Sequence, residues 1–319
     1  MSRNLKAINL KTLDLIQSSQ KRFDLDDIQS SQLSCGATVL DFGSDRVGTV
    51  AAGILLAKIC MGDLAAVTVA DNATPLAQSV HVETGDPLFA CMASQYAGWP
   101  FALENYFAIC SGPARIARGQ ENVLLQYDLV EPSHEAVAVL ETATVPGDDV
   151  AFHIAQQCGV PPQNVTICIA KTSSVPGSLQ VVARSLESAM HKLHELDFDL
   201  RTIRSGRGSA PFPPIGSSDL QSMGWTNDAI LYGATVDLEV ETDDETIEQI
   251  GNQIPSSIAA EYGQPFLEIF EKSGRDFYQI DPLLFGPANV NIHNLNSGNL
   301  FSYGQTDLQL LTRSWNPSL

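Results

Sequence analysis

ATVLDFGSDRVGTVAAGILLAKIC, residues 37–60, carries the reading that sets the fold class. ATVLDF at 37–42 has the β-branched and apolar mixture of a strand, and RVGTVAAGILLAKIC at 46–60 reads as a helix. The alternation continues along the chain. LAAVTVA (64–70) and QSVHVET (78–84) read as strands, DPLFACMASQYA (86–97) as a helix, and NYFAIC (105–110) as a strand running into SGPAR. HEAVAVLET (134–142), a helix start at Pro146–Asp149 and NVTICIA (164–170) extend the pattern. Strands and helices interleaved at this spacing predict an α/β or α+β layer architecture.

The 319 residues suffice for two domains. No linker marks a division, and the expectation is a soft boundary giving domains 1–115 and 116–319, either of which can be discontinuous. Composition is that of a soluble globular protein, 44% hydrophobic and 17% charged. With 37 acidic against 18 basic residues the net charge is −19, and no Lys/Arg cluster stands out, which argues against nucleic acid or an anionic membrane as partner. A small anionic molecule needs only a few local arginines and stays open. The six cysteines are scattered singly, mostly in apolar runs, with no CxxC or metal-ligand spacing, so they read as buried small hydrophobes in a reducing compartment. Lys and Asn interrupt the N-terminal apolar residues as a signal peptide would not, and no apolar run approaches the ~18 residues of a membrane span. A cytoplasmic protein is expected.

Further on, RSGRGSAPFPPIGSSD (204–219) is the stretch richest in Gly, Pro and Ser and predicts a long functional loop. DAILYGATVDLEVET (228–242) reads as a long strand, while DDETIEQIGNQI (243–254) and QPFLEIFEKS (264–273) read as helices. NVNIHNLNSGNLFSYG (289–304) predicts a hairpin turning at Asn296–Asn299.

Three places carry candidate chemistry. In SLQVVARSLESAMHKLHEL (178–196), Leu179, Val182, Leu186, Met190 and Leu193 recur at helical spacing and predict one apolar stripe along one helix. Arg184, Glu187, His191 and His194 fall on its other side. A guanidinium and a carboxylate at i, i+3 can touch, which holds the carboxylate for proton transfer; the plain reading is an ordinary surface ion pair worth about 0.2–0.5 kcal/mol. At Ser111-Gly112-Pro113, the turn after a strand and before ARIARGQENVLL, Ser at N-cap and Arg115 nearby would cradle an anion, or form a simple strand-to-helix turn. Thr226, Asn227 and Asp228 precede the expected strand at 228–242 and offer three hydrogen-bonding groups for a heterocycle, or an Asx-type turn. His81, alternating with Val80 and Val82, and the His191/His194 pair lack further ligands, so no metal is expected. The GxSxG elbow, the GxGxxG fingerprint and the Walker GK[ST] are missing, which removes the anchors of serine-hydrolase, dinucleotide and nucleotide-binding readings.

CMGDLAAV, SQYAGW, NYFAICSGPAR, VVARSLES, MGWTNDAILYG, YGQPFLEIF and DFYQIDPLLF, in this order, resemble the methenyltetrahydromethanopterin cyclohydrolase family, especially its bacterial one-carbon-pathway members. The resemblance runs from about residue 35 to the C-terminus. It implies a cytoplasmic enzyme, commonly a homotrimer, with two α/β domains and the pterin in a cleft between them. It also implies reversible hydrolysis of 5,10-methenyl-tetrahydromethanopterin to the 5-formyl compound in formaldehyde oxidation. No tightly bound cofactor is implied; the tetrahydromethanopterin derivative is the carrier substrate. On the same basis Arg184 and Glu187 are the catalytic pair, with Glu187 as general acid/base and Arg184 orienting and tuning it, while Ser111, Gly112, Arg115, Thr226, Asn227 and Asp228 line the pocket. The alternative is a non-catalytic pterin-binding paralogue, against which the intact Arg184/Glu187 pair counts. Two departures stand out: Trp225 where the family reads arginine in MGRTND, and Lys171 where proline is usual. Trp225 leaves open whether that position reads an anionic part of the pterin tail or only packs beside the cleft.

Overall fold

The computed structural model describes residues 7–72, 76, 78–103, 106–276 and 279–316. The first six residues, Asn105 in the NYFAICSGPAR stretch, and Phe277 and Tyr278 of DFYQIDPLLF lie outside the described residues. The strands in chain order are β1 (Gln29–Gln32), β2 (Thr38–Gly43), β3 (Ala66–Asp71), β4 (Gln78–Thr84), β5 (Trp99–Leu103), β6 (Tyr106–Ser111), β7 (Ala136–Glu141), β8 (Val165–Ala170), β9 (Ile203–Pro211), β10 (Thr235–Val240), β11 (Asn289–Asn294) and β12 (Leu300–Gly304). The helices are α1 (Ile8–Ser19), α2 (Val50–Cys60), α3 (Ala114–Arg118), α4 (Asn122–Gln126), α5 (Asp148–Cys158), α6 (Val175–Val182), α7 (Ser185–Glu195), α8 (Asp219–Gly233), α9 (Asp244–Gly251), α10 (Phe266–Lys272) and α11 (Leu308–Trp315), with a π-helical segment at Leu88–Gln95.

The chain divides into two compact units, residues 1–65 with 89–180, and residues 66–88 with 181–319. Both are discontinuous, so the break expected near residue 115 falls inside the first of them. Within residues 66–88 lie β3 and β4, whose β-ladder partners all belong to the second sheet. Strand pairing, which composition does not display, therefore overrides order along the chain.

In the first unit the sheet runs β1-β2-β8-β7-β6-β5, with β8 parallel to both β2 and β7. β7 shows how it is sandwiched. Ala136, Ala138 and Leu140 face a core built with Val150, Ala151, Ile154 and Ala155 of α5. Val137 and Val139 face the opposite core, built with Ile16 of α1 and Leu55, Leu56 and Ile59 of α2. Period two in a strand separates the two sets, and apolar residues on both sets require helices on both faces. The Thr49 hydroxyl caps α2 by accepting the Ala52 N–H at 3.1 Å. Gly159 closes α5 in the left-handed region at φ 68°.

The second unit has the sheet order β12-β11-β10-β9-β4-β3. Its buried face presents Val80, Val82, Val236, Leu238, Val240, Val290 and Ile292, and α7 and α8 pack on it at β9. The other face is polar and cross-paired: Arg207 donates to Glu83 at 2.9 Å, Asn291 to Asp237 at 2.8 Å and Ser205 to Glu239 at 2.6 Å. His81 lies on that exposed face between buried Val80 and Val82, as the alternation predicts.

The first half of the long loop expected at 204–219 is strand β9, which ends at Pro211, and residues 212–218 run on without helix or strand. The glycines of β9 mark a close approach, not a turn: a Cβ on Gly208 would lie 2.5 Å from Ser185 Oγ and 2.7 Å from the Leu186 backbone nitrogen. One on Gly206 would lie 2.7 Å from a Leu186 methyl. The glycines thus let the first turn of α7 sit directly on the strand.

Candidate functional site

The single helix expected over 178–196 is two helices, α6 and α7, with Ala183 and Arg184 between them. The apolar stripe is real but shared. Leu179 packs against Gly53 in the first unit, whereas Leu186 packs against Gly206 in the second. Arg184 is the N-cap of α7, at φ −83° and ψ 6°, and Glu187 lies three residues on in its first turn. Spacing alone therefore does not fix a contact between these two side chains, because Arg184 precedes the helix. What the break does provide is a carboxylate at the positive end of a helix, where the exposed backbone N–H groups favour negative charge. Glu187 is only 8% exposed, so this segment is not the solvated face that the helical spacing allowed.

The same helix buries Lys192 at 1% exposure, a residue its sequence context does not flag. Its ammonium donates to the Leu283 carbonyl. Burial pulls its pKa down to about 8, against the opposing pull of Asp281 and Glu195. Burial also lowers the pKa of His194 nearby on α7.

The Ser111–Arg115 stretch differs from the expected N-cap. Ser111 ends β6, Pro113 is the N-cap and α3 begins at Ala114. Gly112 takes φ +92°, and its N–H donates to Ser94 O at 2.7 Å. The Ser111 hydroxyl meets Cys60 Sγ at 3.2 Å. Arg115 is 0% exposed. Its Nε donates to Glu121 Oε1 at 2.8 Å, its Nη2 to Glu121 Oε2, and its Nη1 to the carbonyls of Met92, Ala93 and Ser94 at 3.1, 2.9 and 3.3 Å. A guanidinium so engaged is not presented to an external anion. Glu121, which completes this arrangement, sits in a stretch (GQEN) with no sequence signal of its own.

Thr226, Asn227 and Asp228 lie inside helix α8, not before a strand; β10 starts only at Thr235. A short apolar run such as AILY fits either element, and the Ser218 cap, whose hydroxyl accepts the Gln221 N–H at 3.2 Å, settles it as helix. Thr226 Oγ1 donates back to the Ser222 carbonyl and Asn227 Nδ2 to the Met223 carbonyl, each at 2.9 Å. Asp228, 1% exposed, accepts the Phe266 N–H at 2.8 Å and the Ser314 hydroxyl, so it ties α10 and α11 to α8. Burial pushes the pKa of its carboxyl up to about 7, while those two hydrogen bonds work in the opposite direction. Trp225 serves the same packing: its indole N–H donates to Ser314 O at 3.1 Å, and Trp315 returns one to Trp225 O at 3.3 Å.

Lys171 also has a local reason. Its N–H donates to Gly43 O at 3.3 Å, a bond that a proline at this position could not make. Among the described residues no His/Cys/Asp/Glu group has metal-site geometry, and no helix is long and apolar enough to cross a membrane.

Comparison with known proteins bears on this arrangement. A family model described as Cyclohydrolase (MCH) matches residues 7–315. The chain is 43% identical over 289 residues to a methenyltetrahydromethanopterin cyclohydrolase of Rhodopirellula baltica, covering 88% of this chain and 86% of that protein. It is 40% identical to the protein of the same description from Methylobacillus flagellatus, covering 89% and 88%. To that of Methanococcus maripaludis it is 37% identical, covering 97% and 98%.

Proposed function

The chain belongs to the methenyltetrahydromethanopterin cyclohydrolase family, and from that premise we propose that it hydrolyses 5,10-methenyl-tetrahydromethanopterin reversibly to the 5-formyl compound. Glu187 carries the reading: a carboxylate almost removed from solvent, in the first turn of a helix seated on the glycines of β9, three residues after its N-cap Arg184.

The substrate's methenyl bridge is an amidinium cation and is already electrophilic, so a positioned water and a proton acceptor suffice. Water attacks the bridge carbon and Glu187 takes one of its protons, giving a neutral carbinolamine. Glu187 then returns that proton to the departing ring nitrogen as the C–N bond breaks. The carbinol O–H proton leaves as the formyl C=O forms. One water is consumed and one proton is released overall. Arg184 orients Glu187 and tunes it. The Ser111–Gly112 turn and Asn227 are the proposed substrate-facing groups, while Thr226 and Asp228 stand behind Asn227 through their bonds within α8 and to α10 and α11.

A homotrimer, a cytoplasmic location and a role in formaldehyde oxidation belong to the same proposal. The family resemblance supports them, and the buried free cysteines are consistent with a reducing compartment. The test is the loss of methenyl absorbance when purified protein is added to methenyl-tetrahydromethanopterin, with the tetrahydrofolate analogue in parallel. Turnover of the first is expected. Absence of turnover, with binding retained, would identify a non-catalytic pterin-binding protein instead.

A further inference from the structure

The end of the π-helical segment Leu88–Gln95 presents backbone carbonyls that a helix leaves unpaired at its C-terminus, and a buried unpaired carbonyl is costly. Arg115 collects three of them, those of Met92, Ala93 and Ser94, on one nitrogen. Its remaining edge is met by the Glu121 carboxylate, with Nε 2.8 Å from Oε1 and 3.1 Å from Oε2. The guanidinium carbon also lies 5.1 Å from the centroid of the Tyr96 ring. Room for the carboxylate is made by Gly98, where a Cβ would lie 2.1 Å from Glu121 Oε2. Arg118 adds a second cation, its Nη1 4.0 Å from Glu121 Oε1.

The Ser111–Gly112 turn is tied to the same carbonyl. Ser94 O accepts both the Gly112 N–H and the Arg115 Nη1, and the Ser94 hydroxyl donates to Cys60 O at 2.7 Å. One buried ion pair therefore fixes the π-helical end and the Ser111–Gly112 turn against each other. We infer that Arg115 and Glu121 are a positioning pair for the pterin-binding turn, acting through Ser94 and Gly112 and not by contact with an anionic group of the substrate. This rests on the cyclohydrolase reading above, and it assigns Glu121 a role that its charge alone would oppose in an anion pocket.

The two possibilities separate in kinetics. A direct anion ligand at Arg115 would matter only for a substrate carrying the phosphorylated tail, and removing the negative charge of Glu121 would leave or improve that binding. A positioning pair affects any pterin, and either partner suffices to disturb it. Wild type, Arg115→Lys and Glu121→Gln are to be assayed with phosphorylated and dephosphorylated methenyl-tetrahydromethanopterin, with thermal unfolding of each. Both variants are expected to raise KM by about tenfold, by the same factor for the two substrates, with kcat changed less. A KM rise for the phosphorylated substrate alone, or a KM unchanged in both variants while the melting temperature falls, would overturn the inference. If Glu121→Gln does not fold, Glu121→Asp, which keeps the charge on a shorter arm, is expected to give the same KM pattern. An unchanged KM there counts equally against the pair. An inactive wild type would instead count against the cyclohydrolase reading itself.

Discussion

Burial holds the Asp228 carboxyl up at about 7, and the linkage has a definite sign. A carboxyl whose folded pKa is raised stabilises fully below its unfolded value of about 3.9 and loses that contribution as pH rises through the folded value. Asp228→Asn keeps an acceptor for the Phe266 N–H and cannot ionise. The melting temperature of wild type relative to this variant should therefore fall between pH 5 and pH 8. A difference that stays constant over that range would show that Asp228 does not titrate there. At Trp225 the indole N–H is already given to Ser314, which favours the packing role that the sequence left open. Trp225→Arg should then shift KM alike for phosphorylated and dephosphorylated pterins. A gain confined to the phosphorylated substrate would restore a role in reading the tail.

The contact of β9 with α7 is the element-scale device on which the proposed base depends. An added Cβ at Gly208 would press on the Leu186 backbone nitrogen and on Ser185 Oγ, and backbone cannot swing aside. Gly208→Ala should cost about 1–3 kcal/mol and also lower turnover in the folded fraction, because the first turn of α7 carries Glu187. Gly85→Ala, where nothing lies within 4 Å, is the control and should change neither property. Full turnover in a folded Gly208→Ala protein would separate the seat from the chemistry. This seat is not visible in the sequence. Gly-, Pro- and Ser-rich composition suggests a loop, and only the packing of a helix on the strand reveals why the glycines are there. Patterns fixed by local periodicity were legible: β2 with α2, β8, the β4 alternation around His81, and the β11–β12 hairpin. Residues governed by distant partners were not. Arg115 is decided by Glu121 and the π-helical carbonyls, and Asp228 by α10 and α11. Arg184 and Glu187 stand out in the sequence only through the VVARSLES stretch, while the break that makes Arg184 a cap has no periodic signal.

Two units that each close their own sheet account for a chain whose halves are interleaved, with β3 and β4 inserted from early in the sequence into the second sheet. The proposed homotrimer is a property of the whole molecule, and light scattering should give about three times the 34.4 kDa chain mass; a monomer at micromolar concentration would refute it. In the proposed reaction this fold holds one carboxylate, Glu187, against a water and a methenyl bridge. The most direct measurement of that role is the loss of methenyl absorbance from methenyl-tetrahydromethanopterin with wild type and Glu187→Gln side by side, both verified as folded by thermal unfolding. Rapid loss is expected with wild type and a rate lower by about 10²–10⁴-fold in the variant, the usual contribution of a general base. Equal rates from the two proteins would contradict it.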